Sequence, residues 1–113
     1  MNETIAAIAT PFGPGAIALI RLSGEESLSV AGKALEMDCE QQEARMVTRA
    51  DVRSSTGEVI DDVLVTVFRR PCSYTGENLV EISCHGGVLV VQRVLDRLLE
   101  CGARSAMAGE FSQ

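Results

Sequence analysis

The stretch that decides the fold is residues 74–87, which read Tyr-Thr-Gly-Glu-Asn-Leu-Val-Glu-Ile-Ser-Cys-His-Gly-Gly. Turn-forming residues open it, β-forming residues fill its middle and two glycines end it. The pattern therefore predicts a turn, a strand over Asn78–Cys84 and the start of a helix. That helix is predicted from Gly87 to Cys101, with Gly102 well placed to end it. Its broad apolar face consists of Val90, Val91, Val94, Leu95, Leu98 and Leu99.

Five further stretches read as strands around this unit. They are short and rich in β-branched or apolar residues, and two of them flank Ser-Ser-Thr-Gly as the arms of a hairpin. In the second arm three valines share one face of the strand. The predicted strands are Thr4–Ala9, Ala16–Leu22, the hairpin arms Arg45–Arg53 and Glu58–Phe68, and a short last strand, Ala103–Ala106.

A second helix is predicted after the strand that ends at Leu22. Ser23 and Glu26 stand three residues apart, the spacing of a capping box. Leu28, Ala31 and Leu35 follow at helical steps and predict a stripe that packs on a sheet.

The predicted order is therefore β-β-α-β-β-β-α-β in one domain. Two helices with one apolar face each predict an α+β fold, in which a mixed sheet carries both helices on one side. We expect a variant of the ferredoxin-like arrangement. Strands that are apolar on both faces leave the other side of the sheet to a ligand or a partner.

The composition of the chain excludes several classes of function. The chain has 113 residues, 46% of them hydrophobic, and a net charge of −6. An acidic chain with one lysine lacks the basic surface that nucleic-acid binding needs, so we do not expect this chain to bind tRNA directly. No run is long enough to span a membrane and no signal peptide is evident, so a cytoplasmic location is expected. The four cysteines have no zinc or redox spacing and are expected to be buried thiols.

Two charged residues stand in apolar strands. Glu81 lies between Leu79 and Ser83 on one strand face, where it is either a solvated residue or a carboxylate that binds a ligand. Arg21 ends an apolar strand and would hold a ligand carboxylate, pair with Glu81 or mark the solvated strand end.

Three other motifs give little indication of a catalytic, phosphate-binding or metal site. Cys84 and His85 are strand neighbours that point to opposite faces, which disfavours a thiol nucleophile with a histidine base. The loop Pro11–Gly15 is not a phosphate-binding loop, and the sequence contains no P-loop motif at all. Asp61 and Asp62 offer no third metal ligand, so no metal site is predicted.

Together the motifs resemble the N-terminal domain of the tRNA-modifying GTPase family MnmE/TrmE. The similarity covers nearly the whole chain, because short matching segments occur in the family's order and spacing. These are Thr4–Pro11, Arg21–Gly24, Asp61, Tyr74–Glu77, Glu81, His85–Gly87 and Gly109–Ser112. The folate-binding domains of aminomethyltransferases are more distant relatives.

The resemblance implies a domain that binds 5-formyl-tetrahydrofolate or 5,10-methylene-tetrahydrofolate and forms a homodimer. Arg21, Glu81, His85, Gly86 and Gly87 would contact the folate. In the family the chain continues through helical and GTPase domains, and GTP, Mg²⁺ and K⁺ bind only there. The whole enzyme modifies the wobble uridine of tRNA with the flavoprotein MnmG, and residues 1–113 would not be catalytic alone.

A second hypothesis is an interaction module whose main task is dimerisation. In that case the folate site would need residues beyond Gln113, where the family has a further folate-contacting lysine.

Overall fold

The structure is a computed structural model that describes residues 4–9, 18–70 and 77–106. Its elements follow the predicted order, which is confirmed, with one extra short 3-10 helix after the first helix. They are β1 Ile5–Ile8, β2 Ala18–Ser23, α1 Ser27–Leu35, the 3-10 helix Cys39–Gln41, β3 Val47–Arg53, β4 Val59–Phe68, β5 Leu79–Cys84, α2 Val88–Glu100 and β6 Arg104–Ser105. The Pro11–Gly15 loop, residues 74–76 of the predicted turn and the Gly109–Ser112 segment lie outside the described residues.

The strands of the described part of the chain form one six-stranded sheet in the order β3-β4-β5-β2-β1-β6. Four of the pairings are antiparallel and the β1–β6 pairing is parallel, so the sheet is mixed as predicted. The first strand of the chain, β1, lies between β2, which precedes α1, and β6, which follows α2. A relation to the ferredoxin-like fold stays a prediction.

The core lies between one face of the sheet and both helices. Alternate residues of the central strands are buried there, because successive side chains of a strand point to opposite faces. In β4 these are Val63, Val65 and Val67, all fully buried. They form one apolar cluster with the buried faces of α1 and α2. The predicted placement of both helices on one face is confirmed.

The predicted capping box at Ser23 and Glu26 is wrong. Ser23 is the last residue of β2 and pairs with Ile5 and Leu79 on its two sides, so it stays in the sheet. A turn that begins at Gly24, with φ of 138°, separates it from α1. Glu26 occupies the N-cap position without a side-chain capping bond, and its N–H donates to Thr4 Oγ1 at 3.0 Å. Sheet pairing on both sides therefore outweighs the local capping signal.

The end of α1 depends on a glycine inside the helix. Glu36 adopts the left-handed conformation, with φ of 53°, and the N–H groups of Glu36 and Met37 both donate to the Gly32 carbonyl. This closure brings the Met37 carbonyl oxygen to 2.7 Å from the position that a Cβ on residue 32 would occupy. Gly32 therefore allows the chain to leave the helix in this direction.

Among the described residues, no helix has the length and apolar character that a membrane span requires.

We predict that Gly32→Ala lowers the free energy of unfolding by ~1–2 kcal/mol. In an ordinary helix the change would stabilise by up to ~1 kcal/mol, but here the new methyl group meets a backbone oxygen that the helix end holds in place. Urea denaturation followed by circular dichroism measures the difference. Lys33→Ala, at the exposed neighbouring position, is the matched control and should stay within ~0.5 kcal/mol. A more stable Gly32→Ala variant would contradict the account of the helix end.

Candidate functional site

The face of the sheet opposite the helices, called the open face below, carries a mixture of polar and apolar side chains. Strand pairing places these residues in rows across neighbouring strands. One row runs from Ala7 through Arg21, Glu81 and Thr66 to Val47. The next row along the strands contains Leu19, Ser83, Leu64 and Arg49.

Arg21 and Glu81 form an ion pair in the middle of the open face. They are direct neighbours across the antiparallel β2–β5 pairing, and Arg21 Nε donates to Glu81 Oε2 at 2.9 Å. The Arg21 and Glu81 side chains are 34% and 15% exposed, respectively. Of the three possibilities that the sequence left open for Arg21, the structure shows pairing with Glu81. Neither side chain is fully solvated, and Glu81 keeps only a small part of its surface in water.

The Glu81 carboxylate has unused hydrogen-bonding capacity. Arg21 Nε is its only hydrogen-bond donor among the described residues, and it donates to Oε2. A carboxylate has about four lone-pair positions on its two oxygens. With respect to the described residues, Oε1 and part of Oε2 are therefore free to accept N–H groups of a ligand placed on the open face.

The surroundings of the ion pair differ towards the two ends of the open face. Towards the start of β5, Leu79 and Ser23 are 0% and 2% exposed, so this end of the face is covered. Towards the edge strand β3, Leu64 and Val47 are 39% and 60% exposed. The ion pair thus lies between a buried part of the open face, at the start of β5, and an exposed, partly apolar part near β3.

The His85–Gly87 turn connects β5 to α2 and is held by two residues of β4. Asp61 Oδ2 accepts the backbone N–H of His85 at 2.9 Å and that of Gly86 at 3.3 Å. The Nδ1 atom of the His85 ring lies 2.9 Å from the Asp62 carbonyl oxygen. The turn is therefore fixed through both its backbone and its imidazole.

The two glycines of this turn serve different needs. A Cβ at residue 86 would lie 2.4 Å from the nearest side-chain carbon of Val90, so the close approach of the first turn of α2 requires Gly86. Gly87 has φ of 87°, which L side chains rarely adopt, although the space around its Cα is open. The predicted sharp turn into the helix is present, and both glycines are needed for it.

The five residues predicted to bind a ligand fall into two groups, one in the middle of β2 and β5 and one directly after β5. Arg21 and Glu81 are in contact, whereas the His85–Gly87 turn begins four residues after Glu81. At ~3.3 Å per residue of strand, about 13 Å separates Glu81 from His85. One bicyclic ring cannot reach both groups, but an elongated ligand can.

Asp61 is a site residue whose role the sequence did not reveal. In the sequence it appears as one of two adjacent acids and as one of the segments that match the family. Its two hydrogen bonds to the His85–Gly87 turn follow from the pairing of β4 with β5, which places Val63 beside Cys84. The sequence did contain one signal, the glycine pair after a strand. Such a pair indicates a sharp turn, and the backbone N–H groups of a sharp turn need an acceptor.

The cysteines of the described chain are poor nucleophiles. Burial, with a smaller contribution from the charge of Asp61, raises the pKa of the Cys84 thiol to about 12. Burial also raises the pKa of Cys39 to about 11 and that of Cys101 above its ordinary value. The reactive thiolate is therefore scarce at neutral pH. Among the described residues, no group of three or more His, Cys, Asp or Glu side chains is arranged to hold a metal ion.

Comparison with known proteins agrees with the resemblance in the motifs. Residues 4–113 match the family model described as "GTP-binding protein TrmE N-terminus". A tRNA modification GTPase MnmE of Protochlamydia amoebophila is 48% identical over 98% of this chain and 24% of its own length. The proteins of the same description from Fervidobacterium nodosum and Nitratiruptor are 43% and 48% identical, each over 99% of this chain and 25% of their own length. The chain thus spans about a quarter of the relatives that it matches.

We predict that Cys39, Cys84 and Cys101 resist alkylation by iodoacetamide at neutral pH in the folded protein and react rapidly in denaturant. The experiment uses a Cys72→Ser background, because residue 72 lies outside the described ranges, and mass spectrometry counts the labelled thiols. Raising the pH should destabilise the fold once it passes the ~8.5 of an unfolded thiol, since the folded state disfavours the thiolate. Rapid labelling of Cys84 in the native protein would contradict this prediction and support a thiol nucleophile at Cys84.

Proposed function

The chain belongs to the family described as the N-terminus of the GTP-binding protein TrmE, and on this premise we propose that it is the tetrahydrofolate-binding and dimerisation domain of a tRNA modification GTPase. The observation that carries the proposal is the Arg21–Glu81 ion pair on the open face. A carboxylate that is 15% exposed and has spare acceptor positions is an unusual feature of a sheet surface.

The chemistry of a reduced pterin suits this carboxylate. The ring presents an N–H group and an exocyclic amine side by side, and two carboxylate oxygens can accept both. Hydrogen bonds to a charged group contribute ~1.5–3 kcal/mol each when the donors and acceptors are well aligned. Arg21 orients the Glu81 carboxylate from the neighbouring strand, which reduces the cost of ordering it when a ligand binds. The ligand would be a one-carbon form, 5-formyl- or 5,10-methylene-tetrahydrofolate.

The exposed apolar residues of the open face support dimerisation. Leu64 and Val47 lie on the same face as Glu81 and keep 39% and 60% of their surface exposed. A second copy that covered them would also exclude water from the ion pair and strengthen its hydrogen bonds to a ligand. A folate bound on this face would then lie at or near the junction of two domains.

The wider function concerns the whole protein rather than this domain. The relatives that this chain matches are described as tRNA modification GTPases. We propose that GTP, Mg²⁺ and K⁺ bind elsewhere in such a protein, that the flavoprotein MnmG is its partner and that tRNA is the substrate of their complex in the cytoplasm. The role of this domain would be to hold the one-carbon donor, and residues 1–113 supply no P-loop.

A second candidate is a domain that only dimerises, with a folate site that needs further residues of the parent protein. The exposed Leu64 and Val47 favour this candidate as much as the first. The two hypotheses differ in the role of Glu81, which only the first places against a ligand.

We predict that the chain binds 5-formyl-tetrahydrofolate saturably and that Glu81→Ala weakens binding by about 100-fold or more, because two charge-assisted hydrogen bonds are lost. Isothermal titration calorimetry gives the affinities, and light scattering gives the oligomeric state of each variant.

Asp51→Asn is the matched control, since it removes another carboxylate from the open face without touching Arg21 or Glu81. It should bind folate as the unmodified chain does. A dimer that binds no folate would favour the second candidate. Binding that survives Glu81→Ala would overturn the assignment of the site.

A further inference from the structure

The tautomer of His85 follows from its contact with Asp62. The ring atom Nδ1 lies 2.9 Å from the Asp62 carbonyl oxygen, and a carbonyl oxygen can only accept. Nδ1 therefore carries the hydrogen. In the neutral ring this leaves Nε2 as a hydrogen-bond acceptor. The side chain is 43% exposed, so a ligand on the open face can reach it.

Asp61 fixes the backbone on which this imidazole stands. Its Oδ2 accepts two consecutive N–H groups, those of His85 and Gly86, and its Oδ1 accepts the N–H of Asp62. These bonds tie the end of β5 to β4 at the point where the chain leaves the sheet. Without the carboxylate, the turn would lose these two backbone anchors, and among the described residues the imidazole would keep its contacts with Asp62 alone.

The free acceptor atom of this turn defines the part of a ligand that it accepts. Asp62 is paired with Arg49 at 2.8 Å, and the Asp61 oxygens accept backbone N–H groups, so both acidic side chains are already engaged. The ring atom Nε2 is an acceptor, and the group that it would bind is therefore an N–H donor. With the pterin ring at Glu81, about 13 Å away along the strand, the donor belongs to the aminobenzoyl-glutamate part of a folate.

We propose that Asp61 is a positioning residue of the ligand site, which through the His85 and Gly86 backbone holds the His85 imidazole as an acceptor for an N–H group in the aminobenzoyl-glutamate part of the folate. The inference rests on the proposed function and adds a second contact region to it. Asp61 itself does not touch the ligand.

The test is a double-mutant cycle read by calorimetric titration with 5-formyl-tetrahydrofolate. Asp61→Ala and His85→Ala should each weaken binding about 10-fold, and the double variant should be no weaker than either single variant, because Asp61 acts through His85. Asp61→Ala combined with Glu81→Gln should instead show additive losses, since the two positions hold different ends of the ligand.

Two further measurements separate positioning from a loss of folding. In the ¹H–¹⁵N spectrum of the free protein, Asp61→Ala should shift the His85 and Gly86 amide protons upfield and leave the signals of the α1 residues unchanged. Asp61→Asn keeps an acceptor oxygen and should recover affinity to within about 3-fold of the unmodified chain. Asp51→Asn again serves as the carboxylate control.

Each result supports or overturns the inference. Wild-type affinity in Asp61→Ala, or an Asp61→Ala loss that adds to the loss in His85→Ala, would overturn it while leaving the proposed function intact. Failure of the unmodified chain to bind any folate would overturn the proposed function, and this inference with it.

Discussion

Both helices lie against the same face of a six-stranded sheet, and the other features of the molecule depend on this one-sided packing. The apolar stripes of α1 and α2 bury alternate residues of the central strands, including Val65 and Ile82. The residues between them are left on a face that neither α1 nor α2 covers. Stability is concentrated on one side of the sheet, so the other side is free to carry charged residues that a two-sided core would exclude.

The Arg21–Glu81 pair contributes little to stability, which supports the binding role proposed for it. Ion pairs at a surface contribute only ~0–1 kcal/mol, and partly buried pairs are often no better than apolar residues of similar size. A cross-strand pair of valines would serve the sheet about as well. The pair does give a fixed carboxylate with free acceptor positions beside exposed apolar side chains, which is the combination found in ligand sites.

The sequence predicted what depends on local pattern. Strand alternation and helical periodicity were enough for the element order, for both helices on one face and for the placement of Glu81 opposite Val80 and Ile82. The capping box at Ser23 failed because the pairing of β2 with β1 and β5 overrides a local signal. Strand order, the contact between Arg21 and Glu81 and the hold of Asp61 on the His85–Gly87 turn all depend on which strands pair and in which register. Such non-local pairings are not contained in any single stretch of the chain.

The most direct test of the central claim is a crystal structure of this chain with 5-formyl-tetrahydrofolate. We expect the pterin ring on the open face, with its N–H group and exocyclic amine donating to the Glu81 carboxylate and Arg21 still beside it. A ring bound elsewhere would contradict it, for example in the groove along α1 lined by Leu28, Lys33 and Met37. So would a folate on the open face that makes no hydrogen bond to Glu81.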